Sequence, residues 1–248
     1  MSKSVVVSFG RMVDNSYSYH LVDKNQSTSL ERCTQFKDLG VLMDEQLNPK
    51  EHIHEKMNKA YAMLGIIRWN FKYLTISCFV TLYKGMVRSH LDYCSSVWSL
   101  YRKGDIEALE KVQKKATKMI PVLKNYDYNQ RLKACSLPTL HYRRIRGDII
   151  ETYKKTGIYD VEVTPKLYPA HSLVTRGNDL RLLKGCAKYD LQKFYFTNSI
   201  VNLWNSLPNN VMLSESLNVF KSRLDKFWRN QDVVYDYRAD IEGTKNRS

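Results

Sequence analysis

Four lysines, Lys111, Lys114, Lys115 and Lys118, fall at i, i+3, i+4 and i+7, and three arginines, Arg143, Arg144 and Arg146, crowd a later stretch. On a helix the lysine spacing makes a stripe roughly one and a half turns long. Such a stripe can follow a phosphodiester backbone, and guanidinium groups suit bidentate phosphate contacts and stacking. The bland alternative is a solvated helix back, which lysine faces often are. The charge balance weighs toward the first: Lys+Arg 39 against Asp+Glu 25 leaves a formal net charge of +14. That excess favours polyanions through counterion release, with nucleic acid first among them.

Catalytic chemistry finds no such foothold. Adjacent carboxylates that could hold two metal ions beside an apolar strand are missing, and Asp236 to Asp240 reads as solvated charge in a polar tail. His52 and His54 sit two apart, on different sides of a helix, so they suit no shared coordination and are expected at the surface. Gly-rich phosphate loops, nucleophile elbows and Cys/His pairs at useful spacing are likewise not found. Cys33, Cys78, Cys94, Cys135 and Cys186 are odd in number and widely spaced, which reads as reduced thiols in a cytosolic or nuclear protein. Cys78 and Cys94 are expected on helices as small hydrophobes. Neither metal nor cofactor is expected, and no catalytic residue is assigned. With no run long enough to span a bilayer and no charged-then-apolar leader, a membrane is not an expected partner.

The elements that must carry these residues read as mainly α, preceded by a small antiparallel β-sheet. Val5 to Val7 with Phe9, Tyr17 to Val22, and Phe36 to Leu42 form short β-branched and aromatic runs separated by turn residues, so three strands are expected within 1–47. From Pro49 the period becomes helical: Ile53, Met57, Ala60, Leu64 and Ile67 share a face, and Asn48 supplies the cap. A second helix runs from Thr75 or Ser77 through Phe79, Leu82, Tyr83, Met86 and His90. A third, from near Asp105 to Pro121, sets Leu109, Val112, Ala116, Met119 and Ile120 opposite the lysines. A fourth, from about Pro138 to Lys155, carries the arginines and stops at Gly157. Residues 48–157 are therefore expected as one basic helical domain. Residues 158–188 read as an irregular connector with a hairpin around Arg176-Gly177-Asn178, residues 189–230 as a helical pair (Leu191 to Ser206, Ser216 to Trp228), and 231–248 as a polar, frayed tail.

Several blocks also carry a family likeness. Lys37-Asp38-Leu39-Gly40-Val41 with Leu47 and His52 is followed by the run from Leu82-Tyr83-Lys84-Gly85-Met86-Val87-Arg88-Ser89-His90-Leu91-Asp92-Tyr93-Cys94 to Trp98. Leu109 to Ile120, Arg131-Leu132, Leu137-Pro138-Thr139-Leu140, Tyr142 to Asp148, Leu203-Trp204-Asn205-Ser206-Leu207-Pro208 and Phe220 to Asp225 then come in order. Together they resemble the region just after the polymerase palm in non-LTR retrotransposon (LINE) reverse transcriptases of the jockey and CR1 type, over nearly the whole chain. The resemblance implies that 1–47 is an end-of-palm, primer-grip-like β segment and that the helices from Pro49 are thumb-like. It also implies partners: RNA, DNA or an RNA–DNA hybrid, and the palm and fingers of such an enzyme. That family's metal-binding Asp-Asp does not occur here, so the chain is expected not to be an enzyme by itself, although related to an RNA-directed DNA polymerase. The reading is a template–primer-binding fragment; the alternative is a non-catalytic relic or domesticated protein-interaction scaffold.

Overall fold

The computed structural model describes residues 4–10, 13, 16–23, 26–98, 101–157, 159, 167–169 and 180–241. It is mainly helical, with short β-hairpins near the start, and it divides into two compact units, Met1–Lys59 and Ala60–Ser248. The division falls inside the first helix, α1 (Lys50–Asn70), rather than just before it at 47/48.

In the first unit the expected three-stranded sheet is three two-stranded pieces. β1 (Val5–Val6) pairs in parallel with β4 (Glu31–Arg32), while β2 (His20–Asp23) and β3 (Gln26–Ser29) pair antiparallel. β5 (Gln35–Asp38) and β6 (Val41–Asp44) form a second antiparallel hairpin, with Asp38 opposite Val41. The run Phe36 to Leu42 is thus not one strand but two, reversed at Leu39 (φ 43°) and Gly40 (φ 79°). Two positive-φ residues between paired strands are the turn whose twist matches a hairpin, and it ordinarily announces itself as Asn-Gly. A leucine there hides the signal and carries left-handed strain of about 1 kcal/mol. Leu39→Asn is therefore expected to raise the stability of this unit by about that amount; a urea midpoint that stays put or falls contradicts it.

His52 is the second correction in this unit. It is fully buried, not at the surface, and its Nδ1 accepts the Leu42 amide at 3.0 Å. Lys56, one turn on and also buried, donates its Nζ to the Gly40 carbonyl at 3.1 Å. A backbone amide and a carbonyl of the β5–β6 hairpin need such partners once covered, which explains polar residues on an inward helix face. His54 is exposed, as expected. Glu55 accepts from Lys37 (2.7 Å) and Lys59 (2.6 Å), and these two hydrogen bonds hold its carboxyl down at about 2.

In the second unit the buried face of α1 continues through Ala60, Leu64 and Ile67. α2 (Ile76–Leu82), capped by Thr75, runs into a π-helical turn (Tyr83–Arg88) and then α3 (Ser89–Asp92). The residues buried along it are Phe79, Tyr83, Val87 and Leu91, spaced by four, whereas Leu82, Met86 and His90 are only half-buried. A strict four-residue spacing drifts about 40° per step around a 3.6-residue helix. The wider π turn removes that drift and keeps the stripe on one side. Cys94 lies beyond the helix at φ 50°, not on it.

α4 (Lys103–Thr117) buries Leu109, Val112 and Ala116, and Pro121 opens a 3-10 turn (Pro121–Leu123). α5 (Tyr128–Cys135) starts with an Asp127/Gln130 capping box and stops at Ser136 in the left-handed region. α6 (Leu140–Gly157) follows Thr139, whose hydroxyl accepts the Tyr142 amide.

The single helix expected from Leu191 to Ser206 is three short ones: α7 (Asp190–Phe194), α8 (Phe196–Ser199) and α9 (Val201–Asn205). Tyr195 is extended, at ψ 145°. The buried stripe Phe196, Ile200, Trp204 begins only after it, while α7 buries nothing and so is not bound to the same axis. α10 (Asn209–Met212) and α11 (Leu217–Phe227) complete the helices, and Ser216 caps α11 as the sequence indicated.

The segment expected to fray is instead anchored through residue 241. Val233, Tyr237 and Ile241 are buried at four-residue spacing, and Thr139 binds the carbonyls of Val233 (2.7 Å) and Val234 (2.9 Å). Ile149 of α6, Trp204, Phe220, Trp228 and Val233 all belong to one apolar cluster. The C-terminal helices therefore share a core with α6, where the sequence suggested a separate pair beyond a connector. The hairpin placed at Arg176-Gly177-Asn178 lies outside the described residues.

Candidate nucleic-acid interface

The lysine stripe on α4 splits into two kinds of residue. Lys111, Lys115 and Lys118 are exposed. Lys114 is half-buried: its Nζ donates to the Tyr237 hydroxyl at 3.0 Å and lies 4.4 Å from that ring's centre and 5.3 Å from that of Tyr128. Three ammonium groups are thus presented outward and the fourth ties the 232–241 segment to α4. Lys115 sits 5.0 Å over the ring of Tyr61, so α1 borders the basic face at that point.

A buried polar network fixes the rotation of α4. Glu110, Gln113 and Thr117 are all fully buried. Tyr83 donates its hydroxyl to Gln113 Oε1 (2.6 Å); Gln113 Nε2 donates to the Pro138 carbonyl (3.0 Å) and to Tyr128 (3.2 Å). Tyr128 in turn donates to Glu110 Oε1 at 2.5 Å, while Glu110 Oε2 accepts the Leu140 amide at 3.1 Å, capping the start of α6. Arg131 donates to the Thr117 hydroxyl at 3.2 Å and to the Tyr126 carbonyl at 2.7 Å. Burial pushes the Glu110 carboxyl up to about 7 and, with Glu110 beside it, the Tyr128 hydroxyl far above its ordinary value. A helix held by so many inward hydrogen bonds presents its opposite face without needing to reorganise.

The three arginines do not join that face. Arg143 grips Asp92 Oδ2 through Nε (3.1 Å) and Nη2 (2.7 Å), and Arg88 shares the same carboxylate at 3.6 Å. Arg144 is buried, donates to the Leu91 carbonyl at 3.0 Å and stacks 3.8 Å over Trp98; burial lowers its pKa to about 10. Arg146 makes a two-pronged pair with Asp225 at 2.6 and 2.8 Å. All three guanidinium groups have partners within the molecule, Arg144 buried and Arg143 and Arg146 half-buried, so they stand apart from the lysine face. Arg143 and Arg146 do line an open cleft with Tyr142, Tyr235 and the exposed Arg229.

Sequence reasoning passed over the end of α1. There Trp69 (87% exposed) and Tyr73 (93% exposed) stand among Arg68, Phe71 and Lys72. The available signal was the alternation of cations and rings in Arg68-Trp69-Asn70-Phe71-Lys72-Tyr73.

Among the described residues no group of three or more His, Cys, Asp or Glu is placed to hold a metal ion, and no helix is long and apolar enough to cross a membrane. Compared with family models, curated proteins and solved structures, the chain matches none.

Proposed function

We propose that the chain binds nucleic acid, gripping phosphates through the outer face of α4 without reading base sequence. The observation that carries this is the exposure of Lys111, Lys115 and Lys118 on one rigidly seated helix of a chain with net charge +14. Three point charges along a helix match a regular anionic backbone, and nothing in their arrangement selects one base edge over another. The likeness of residues 37–41, 82–98, 109–120 and 203–208 to non-LTR reverse transcriptases supports a narrower version: a template–primer-binding, thumb-like part of such an enzyme, without polymerase activity by itself. Under that version the partners are RNA, DNA or their hybrid, together with a palm and fingers, in a nuclear or cytoplasmic setting.

Fluorescence anisotropy with a labelled RNA–DNA hybrid tests the reading. Micromolar binding is expected whose affinity falls steeply with added salt and barely varies with sequence. Self-association of the chain with no hybrid binding at low salt overturns it and favours a protein-interaction scaffold.

A further inference from the structure

The end of α1 and the loop after it expose rings that a folded chain of this size ordinarily covers. Of the four tryptophans, Trp98, Trp204 and Trp228 are 3% exposed or less, whereas Trp69 is 87% exposed. Tyr73 is almost wholly in solvent, and Ile66 and Phe71 are partly so. Single apolar side chains at a surface need no explanation, but four within eight residues form a patch, and such patches mark contact sites.

The chemistry around the patch says which contact. Arg68 and Lys72 interleave with the rings, and residues 60–91 contain no Asp or Glu while carrying Arg68, Lys72 and Lys84 besides Arg88, which pairs with Asp92. A ligand suited to this surface offers flat π faces and regularly spaced negative charge together, which is what an unpaired stretch of nucleic acid presents. Duplex offers the charge but keeps its base faces stacked inside. Asn70 Nδ2 donates to the Ile66 carbonyl at 2.8 Å and the Phe71 amide to the Ile67 carbonyl at 3.0 Å, closing the last turn of the helix that carries Trp69. Position also fits. Tyr61, under Lys115, lies eight residues before Trp69 on the same helix, about 12 Å along its axis. A strand leaving the α4 face can therefore reach the rings within a few nucleotides.

We infer that Trp69 and Tyr73 form a stacking platform for unpaired bases, with Arg68 and Lys72 on the adjoining phosphates, so that the chain favours nucleic acid carrying a single-stranded stretch. This rests on the nucleic-acid reading of the α4 face and adds the kind of strand.

Intrinsic fluorescence is the direct probe, because Trp69 is the one tryptophan in solvent. Oligo(dT) is expected to quench it, while heparin, a polyanion without bases, leaves it nearly unchanged. Trp69→Phe should abolish the quench and keep the affinity, since phenylalanine still stacks. Trp69→Ala with Tyr73→Ala should weaken oligo(dT) binding by about tenfold or more and blunt-ended hybrid binding by less than about twofold. Equal quenching by heparin, or unchanged oligo(dT) affinity in the double alanine variant, overturns the platform. If hybrid still binds in a salt-dependent way in that case, the α4 reading stands alone; if no nucleic acid binds at all, both fail. Self-association that the double alanine variant abolishes, without oligo(dT) binding, would assign the patch to a second copy instead.

Discussion

Glutamine at Lys111, Lys115 and Lys118 together is expected to flatten the log–log dependence of hybrid affinity on salt by about 2.7, three phosphate contacts at about 0.9 each. Between about 50 and 200 mM salt the unaltered chain should therefore lose about 40-fold more affinity than the triple variant. Lys114→Gln is expected to leave the slope where it was, although it belongs to the same sequence stripe. Its ammonium is already held by the Tyr237 hydroxyl and two aromatic rings, so its loss should appear as about 1 kcal/mol of stability and loosening of the 232–241 segment. Arg146→Gln belongs with Lys114: its partner Asp225 is half exposed, and such pairs contribute less than about 1 kcal/mol. Anisotropy over a salt series, run beside urea unfolding of each variant, separates the two kinds of lysine. A slope change in the Lys114 variant with none in the triple variant would reverse the assignment of the face.

That distinction marks where the sequence stops being informative. Periodicity located α1, α4, α6 and α11 because each buries a stripe at three- and four-residue spacing, and burial of that stripe decides helix formation more than any single residue does. It also put Leu109, Val112, Ala116 and Ile120 inward and the lysines outward. It could not show that Lys114 leans toward a tyrosine 123 residues away, because long-range partners leave no local pattern. The internal partners of the arginines were hidden for the same reason: Asp92 and Asp225 are remote in sequence, and Trp98 gives no hint that a guanidinium stacks on it. Tyr195 and the Leu39–Gly40 turn failed differently. There a local backbone conformation, left-handed at Leu39 and extended at Tyr195, divides what composition reads as a continuous run. The 231–241 segment was lost to its own polarity, since three apolar residues at four-residue spacing are easily outweighed by the charges between them. The end of α1, by contrast, was legible: alternating rings and cations are a local pattern, and only the exposure of Trp69 and Tyr73 had to come from the fold.

Stability of the second unit is expected to fall as pH rises from about 5 to about 8, the reverse of ordinary acid unfolding. Glu110 is fully buried and its carboxyl is raised from 4.5 to about 7, burial being the main cause. The folded state thus holds a proton that the unfolded chain has released. For a pKa raised on folding, the contribution is fully present below the unfolded value of 4.5 and is lost as pH climbs through 7. Between pH 5 and 8 the loss comes to a few kcal/mol. Asp148 works in the same direction: its Oδ1 is buried without a hydrogen-bond partner among the described residues, and burial raises its carboxyl to about 7. Tyr128, the Leu140 amide and Lys114 all favour the charged form of Glu110, but burial outweighs them. Glu110→Gln removes the titration. The amide resembles the protonated carboxyl, with an oxygen to accept the Leu140 amide and an NH2 to donate toward the Tyr128 hydroxyl. The variant should therefore be about as stable as the parent near pH 5 and more stable near pH 8. The two curves of urea midpoint against pH are expected to separate as pH rises, and Glu110→Gln with Asp148→Asn should be flatter still. Parallel curves would mean that Glu110 is ionised in the folded state throughout, held by its two donors, and that α4 is seated by a charge rather than by a proton.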